Sequence, residues 1–109
     1  MTPSIDGTFA ALADPTRRKV IELLRERPRR AGELAEATAT SGPALSRHLR
    51  VLRLSGLVSE ESPPEDARLR IYHLERAQFL ALRGWLDQVE GFWADQLASF
   101  KAFAEEQQR

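Results

Sequence analysis

The sequence predicts a mainly helical fold with one small β-hairpin and a long C-terminal helix. Three observations predict it. Apolar residues recur at three- and four-residue steps over most of the 109 residues. That period breaks between Gly56 and Leu74, where two short strand-like runs flank a proline-rich turn. It resumes at Arg76 and continues to about Glu106.

The first helix spans residues 5–13, with Ile5, Phe9 and Leu12 on one side. Asp14-Pro15 is a sharp boundary. Asp14 is an N-cap residue type, and Pro15 suits a first helical position because its missing N–H would lack a partner there. The residue before a proline is also pushed out of the helical region. The second helix therefore runs from Pro15 to about Arg27, with Val20, Ile21, Leu23 and Leu24 facing inward. Arg17, Arg18 and Lys19 fall in its first turn, where cations oppose the helix dipole. Phosphate contact is one use for such a placement, and chance placement is the equal alternative. Pro28 ends this helix, and Arg29-Arg30 lead into the next.

Residues 31–56 read as two helices joined by a tight turn. The short one, Ala31 to Ala37, buries Leu34 and Ala35. The longer one runs from Ser41 to Ser55. Ser41 supplies an N-cap hydroxyl, Pro43 sits in the first turn, and Gly56 stands where a left-handed C-cap is wanted. Leu45, Leu49 and Leu52 form one apolar stripe, and the opposite face carries Arg47, Arg50 and Leu54. A capped helix with an apolar face and a basic face, preceded by a short helix, is a candidate helix-turn-helix, in which the second helix would enter the DNA major groove. An ordinary helix pair with a solvated basic face is the alternative at this point.

Residues 57–74 read as a wing beside that helix. Leu57 to Ser62 is one strand, Ser62 to Ala67 a six-residue turn, and Arg68 to Leu74 the second strand. Leu69 and Ile71 lie on one face and Tyr72 and Leu74 on the other, so both faces are expected to be partly covered. Arg68 near the tip can reach DNA backbone or minor groove, whereas Glu65 and Asp66 repel phosphate. The candidate DNA contacts are Ser41, Ala44, Ser46, Arg47, Arg50 and Arg68.

The last helix, residues 76–106, is a rod of about 45 Å. Phe79, Leu82, Leu86, Val89, Trp93, Leu97 and Phe100 form its stripe, widened by Trp85, Phe92 and Phe103. A helix this long and aromatic cannot bury everything against four short helices and a hairpin. The surplus is expected to pack on a second copy of the chain. The interface candidates are Phe9, Leu82, Leu86, Val89, Phe92, Trp93, Leu97 and Phe100. The 109 residues are read as one domain with a dimerisation helix at its end.

Composition narrows the function further. The chain has no cysteine, so disulfides, thiolate metal sites and cysteine nucleophiles are excluded together. Its two histidines lie on separate elements, so neither a metal site nor a cofactor is expected. No phosphate-binding glycine loop and no nucleophile–base set is evident, which argues against an enzyme. No run of apolar residues is long enough to cross a membrane, and no secretory signal is evident, so a cytoplasmic location is expected. Formal net charge is zero, but it is split. Residues 1–56 hold ten Lys and Arg against six Asp and Glu, and residues 57–109 hold six against ten. The basic excess falls where phosphate contact is expected.

The stretches FAALADPTRRKVIELL (Phe9–Leu24), GELAEA (Gly32–Ala37), SGPALSRHLRVLRLSGLV (Ser41–Val58) and ARLRIYHL (Ala67–Leu74) resemble the ArsR-type winged helix-turn-helix repressors. The resemblance covers nearly the whole chain. It implies a homodimeric, sequence-specific transcriptional repressor that binds a palindromic operator on double-stranded DNA. Three departures from the family pattern stand out. The stretch that carries a cysteine pair in metal-sensing members has none here. The last helix has no histidine of the kind other members use for metal. Gly42-Pro43 opens the recognition helix where the family has side chains able to bond bases, which leaves base readout to Ser46, Arg47 and Arg50. His48 falls toward the buried side, as a packing or backbone-anchoring residue rather than a ligand. The competing reading is a protein-interaction module that uses the winged scaffold without DNA. The sequence names no small-molecule effector.

Overall fold

The computed structural model describes residues 3–108. Its elements run α1 (Ile5–Leu12), α2 (Pro15–Glu26), β1 (Arg29–Arg30), α3 (Ala31–Ala37), α4 (Gly42–Leu54), β2 (Val58–Glu61), β3 (Ile71–Leu74) and α5 (Arg76–Gln107). They divide into two compact units, Met1–Phe79 and Leu80–Arg109.

Three helices begin where a side-chain oxygen meets a free backbone N–H. Ser4 Oγ accepts from Gly7 at 3.1 Å, Asp14 Oδ1 from Arg17 at 3.1 Å, and Ser41 Oγ from Ala44 at 3.3 Å. The Arg17 N–H bond is the largest cause holding the Asp14 carboxyl below its ordinary pKa, against the opposing effect of burial. α4 is closed by Gly56, just past its end, whose φ of +77° allows the Leu57 N–H to reach the Leu52 carbonyl at 3.0 Å. A Cβ at Gly56 would stand 2.9 Å from Gln78 Cγ and 3.1 Å from Pro3 Cγ, so glycine is required on both counts. The turn between α3 and α4 carries Ala39 at φ 51°, a left-handed position that costs an alanine about 1–2 kcal/mol. The bond from Thr40 N–H to the Ala35 carbonyl, 3.0 Å, offsets part of that cost.

The core of the first unit joins Val20 and Leu24 of α2, Leu34 of α3, Leu45, Leu49 and Leu52 of α4, and Leu57, Val58 and Tyr72 of the wing. Each such side chain contributes about 1.5–3 kcal/mol by leaving water. Phe79, at the start of α5, packs against this core. On α1 the fully buried residues are Thr8 and Ala11, while Phe9 is exposed.

The structure departs from the sequence reading at four places. The hairpin is part of a three-stranded antiparallel sheet of order β1-β3-β2. Arg29 pairs with Tyr72 and Arg30 with Ile71. Two arginines give no strand signal of their own; the free edge of β3 recruits them. Arg29 also turns its side chain back, donating to the Leu23 carbonyl at 3.1 Å and to Glu26 at 2.6 Å.

The second departure is the wing loop, which spans residues 62–70 and delays β3 to Ile71. Asp66 explains the delay. Its N–H donates to the Pro63 carbonyl, its carbonyl accepts from Leu69, and its Oδ1 accepts from the Arg68 N–H at 3.0 Å. Two consecutive turns thus replace the first residues of the expected strand.

The third departure concerns Arg17 and Arg18. Arg17 Nε donates to the Ala11 carbonyl at 2.6 Å and Nη2 to the Ala10 carbonyl at 3.1 Å, while Arg18 Nη1 donates to the Leu12 carbonyl at 2.8 Å. These cations satisfy the orphan carbonyls of α1, where the dipole of that helix favours them. Last, Ala35 is half-buried rather than buried, and α1 and α2 each stop one residue early.

Candidate nucleic-acid interface

Burial of Leu45, Leu49 and Leu52 fixes the rotation of α4 about its axis. The opposite face must then project outward, and Ser46, Arg47 and Arg50 are exposed. The Arg47 and Arg50 side chains form no hydrogen bond or ion pair among the described residues. This separates them from most other arginines of the first unit. Arg17 and Arg18 hold carbonyls, and Arg25, Arg27, Arg29, Arg53 and Arg70 pair with glutamates. Arg47 and Arg50 are therefore left exposed rather than consumed by the fold. Ser41 is exposed, with its oxygen committed to the cap and its O–H left to donate. Ala44 is half-buried in the first turn.

Two contacts hold this helix in place. His48, half-buried on α4, meets Arg17 Nη1 through Nδ1 at 3.3 Å. A guanidinium has no acceptor, so Nδ1 accepts and the imidazole carries its proton on Nε2. His48 thus meets a side chain, not the backbone that the sequence reading offered it. At the other end, Glu60 Oε1 of β2 takes Arg53 of α4 at 3.4 Å and Arg70 at 2.8 Å. One carboxylate thereby joins the recognition helix to the wing. Burial, then the Glu60 carboxylate, raises the pKa of the adjacent Tyr72 phenol.

Arg68 lies exposed on the wing loop, and Asp66 folds its carboxylate onto the Arg68 backbone. The loop faces the start of α3 across an open cleft of about 490 Å³. Arg30, Arg68 and Arg70 line that cleft together with Glu33. Glu33 is engaged by Arg27 at 3.0 Å, and that bond, followed by the Arg30 backbone N–H, lowers its pKa. Arg30 and Arg68 are not ion-paired among the described residues. Sequence reasoning missed Arg30 and Arg70. The Arg29-Arg30 doublet was the available signal, but only the β1–β3 register brings it beside the wing.

At the base of the wing, Ser59 Oγ lies 2.6 Å from His73 Nε2 and donates to Glu75 Oε1 at 2.5 Å. The Ser59 bond, more than the nearby His73, lowers the Glu75 pKa against the opposing effect of burial. The network ties β2 and β3 to the chain entering α5. Among the described residues no group of three His, Cys, Asp or Glu side chains is placed to hold a metal ion.

The interface candidates on α5 form a continuous apolar face. The helix is 32 residues long, about 48 Å, and none of its residues is buried. Leu86, Val89, Phe92, Trp93, Leu97 and Phe100 are exposed, and Leu82 is half-buried. Phe92 and Trp93 meet edge to face, with ring centroids 5.8 Å apart and planes at 72°. Phe9 of the first unit is also exposed. No helix of the described residues is long and apolar enough to cross a membrane.

Comparison with known proteins gives concordant results. Residues 14–60 match the family model described as bacterial regulatory protein, arsR family. The HTH-type transcriptional regulator Rv2034 of Mycobacterium tuberculosis is 40% identical over 97 residues, covering 89% of this chain and 85% of that protein. The transcriptional repressor SdpR of Bacillus subtilis is 38% identical over 56 residues, covering 51% of this chain and 62% of SdpR. Among solved structures, an ArsR-like transcriptional regulator from Rhodococcus sp. RHA1 superposes with a TM-score of 0.79 at 27% identity, over 94% of this chain and 91% of that one.

Proposed function

Since this chain belongs to the ArsR family of DNA-binding transcriptional regulators, and is not an enzyme, we propose that it acts as a homodimeric repressor on a palindromic operator. The observation that carries this reading is the pair Arg47 and Arg50, exposed and unpaired on a helix whose other face is locked in the core. An arginine so placed pairs bidentately with guanine O6 and N7, which is worth about 1–3 kcal/mol of discrimination. Ser46 lies beside them, and Ser41 and Ala44 sit at the end of the helix that enters the groove first. Arg68, joined by Arg30 and Arg70, supplies phosphate contacts that set affinity and orientation rather than sequence. This assignment gives the basic cleft a role and adds two residues to the interface read from sequence.

Dimerisation rests on α5. Its exposed aromatic face exceeds what a single soluble chain ordinarily leaves in water. A two-fold pairing through Leu82, Leu86, Val89, Phe92, Trp93, Leu97 and Phe100, with Phe9 contributing, would set two recognition helices about 34 Å apart, one DNA turn. Repression would follow by occlusion of a promoter; the name of SdpR, a transcriptional repressor, supports repression but gives no mechanism. The test is selection of bound duplexes from a random DNA pool by the full chain. The expected result is an enriched inverted repeat with half-sites about one turn apart. Enrichment of a single half-site would remove the two-fold operator. No enrichment at any salt concentration would leave the protein-interaction reading in its place.

A further inference from the structure

A second cavity lies between α1 and the C-terminal half of α4, within the first unit, with a volume of about 320 Å³. Gly7, Ala10 and Ala11 form its α1 side, and Val51 and Leu54 its α4 side. The cause is a mismatch of size. Three successive positions on one face of α1 carry at most one carbon, so no side chain fills the space opposite Val51 and Leu54. Those two apolar residues are left 38% and 65% exposed on the helix that reads DNA. A Cβ added at Gly7 meets only Ser4 Oγ, at 3.4 Å, so the void is not a product of crowding elsewhere. The volume lies in the range of small-molecule sites, which pair an apolar lining with a few convergent polar groups.

Arg17 is the one ionisable residue in the lining. Its three hydrogen bonds go to the neutral carbonyls of Ala10 and Ala11 and to the neutral ring nitrogen of His48. A guanidinium has five N–H donors, so these bonds do not exhaust it. No carboxylate lies within ion-pair distance of it among the described residues. Asp14 acts on it from farther away and is committed to capping α2. The cavity thus joins an apolar trough to a single cation without a paired counter-charge.

We propose that this cavity is an effector site for a small amphipathic carboxylate, a short-chain or single-ring acid, whose carboxylate meets Arg17 and whose apolar body lies on Val51 and Leu54. The site is coupled to DNA through α4. Val51 and Leu54 share that helix with Arg47 and Arg50, and Arg17 anchors it at His48. A carboxylate that draws Nη1 from His48 releases one of the polar side-chain contacts that tie α4 to its neighbours beyond its leucine core. Linkage then requires that the acid and the operator change each other's affinity by the same factor. This coupling, though not the binding itself, rests on the DNA-binding reading above.

The test is an NMR titration of the ¹⁵N-labelled full chain, without DNA, with hexanoate and benzoate, and with hexanol as the uncharged control. The expected result is saturable shifts at Gly7, Ala10, Val51 and Leu54, at least tenfold weaker for hexanol. Gly7→Val should fill the trough, and Leu54→Glu, at an exposed position, should repel the acid. Each should weaken hexanoate binding tenfold or more, with the amide spectrum otherwise retained. Operator affinity is then measured with and without saturating hexanoate, and a change of threefold or more is expected. Shifts confined to α5, or none, would overturn the site. Equal binding of hexanol would overturn the carboxylate assignment. Protection of Gly7 and Val51 by a second copy in the free protein would show a chain interface instead. Hexanoate binding without an effect on operator affinity would overturn the coupling alone. Failure of the unliganded chain to bind any operator would strike the DNA reading and leave the site standing.

Discussion

α4 and α5 carry the same kind of apolar stripe and meet opposite fates. Leu45, Leu49 and Leu52 of α4 are 1%, 2% and 0% exposed, whereas Trp93, Leu97 and Phe100 of α5 are 63%, 69% and 72% exposed. Helical periodicity states that a face is to be buried. It does not state against what. α4 finds its cover inside the first unit, in α2, α3 and the wing. Within its own chain α5 leaves large aromatic side chains in water, each forgoing about 1.5–3 kcal/mol of burial. In our account that cover is a second chain, which makes the DNA-reading helix and the dimer helix depend on different partners.

Truncation at matched positions sharpens the contrast. Leu49→Ala should lower the unfolding free energy by about 2–5 kcal/mol, because it opens a cavity in a packed core. The loss should be the same at every protein concentration. Leu97→Ala should instead act through association, so its effect on the denaturation midpoint should shrink toward zero as dilution dissociates parent and variant alike. Urea denaturation at two concentrations separates the two behaviours.

A charge on the exposed stripe breaks the comparison from the other side. Trp93→Glu should weaken dimerisation by about 2–4 kcal/mol, the range for a central aromatic anchor. Operator binding should fall with it, while the helical circular dichroism of the first unit is retained. A Trp93→Glu chain that binds operator like the parent would detach DNA binding from α5.

Within the first unit the basic residues divide by role. Arg47→Ala should lose about 1–3 kcal/mol at one base pair in each half-site, so preference there flattens symmetrically. Arg68→Ala and Arg30→Gln should weaken specific and non-specific DNA alike, each reducing the salt slope by about 1. Affinity over singly substituted operators at two salt concentrations distinguishes them. A uniform loss for Arg47→Ala would make it a phosphate contact.

The smallest effect expected is a pH dependence at the α2 cap. Folding lowers the Asp14 pKa below its ordinary carboxylate value. A depressed folded-state pKa contributes stability that is present above the unfolded value and lost as pH falls through the folded one. Asp14→Ala should therefore be destabilising at neutral pH, with the gap to the parent closing below about pH 4. Asp14→Asn, which keeps an acceptor without a titrating group, should show no such closure.

The features legible in the sequence are those decided within a few residues. Ser41, Asp14 and Gly56 announce caps because cap chemistry spans three or four positions. Arg47 and Arg50 could be assigned outward because the leucine stripe fixes the azimuth of everything else on α4. What was not legible depends on contacts between distant segments. Arg17 looked like a misplaced cation until the end of α1 came beside it. Arg30 and Arg70 become neighbours only through the β1–β3 register. Asp66 shortens β3 through a turn that competes with a run of otherwise good strand residues. The cavity between α1 and α4 is likewise a property of two helices together, and nothing in IDGTFAAL alone signals it.

The measurement that bears most directly on the account is sedimentation equilibrium of the unmodified chain at micromolar concentration. A chain of 12.3 kDa that covers its α5 face with a second copy should sediment at twice that mass and dissociate on Trp93→Glu. A monomer that nonetheless binds an inverted-repeat operator with full affinity would contradict the central claim that the exposed face of α5 builds the DNA-binding dimer.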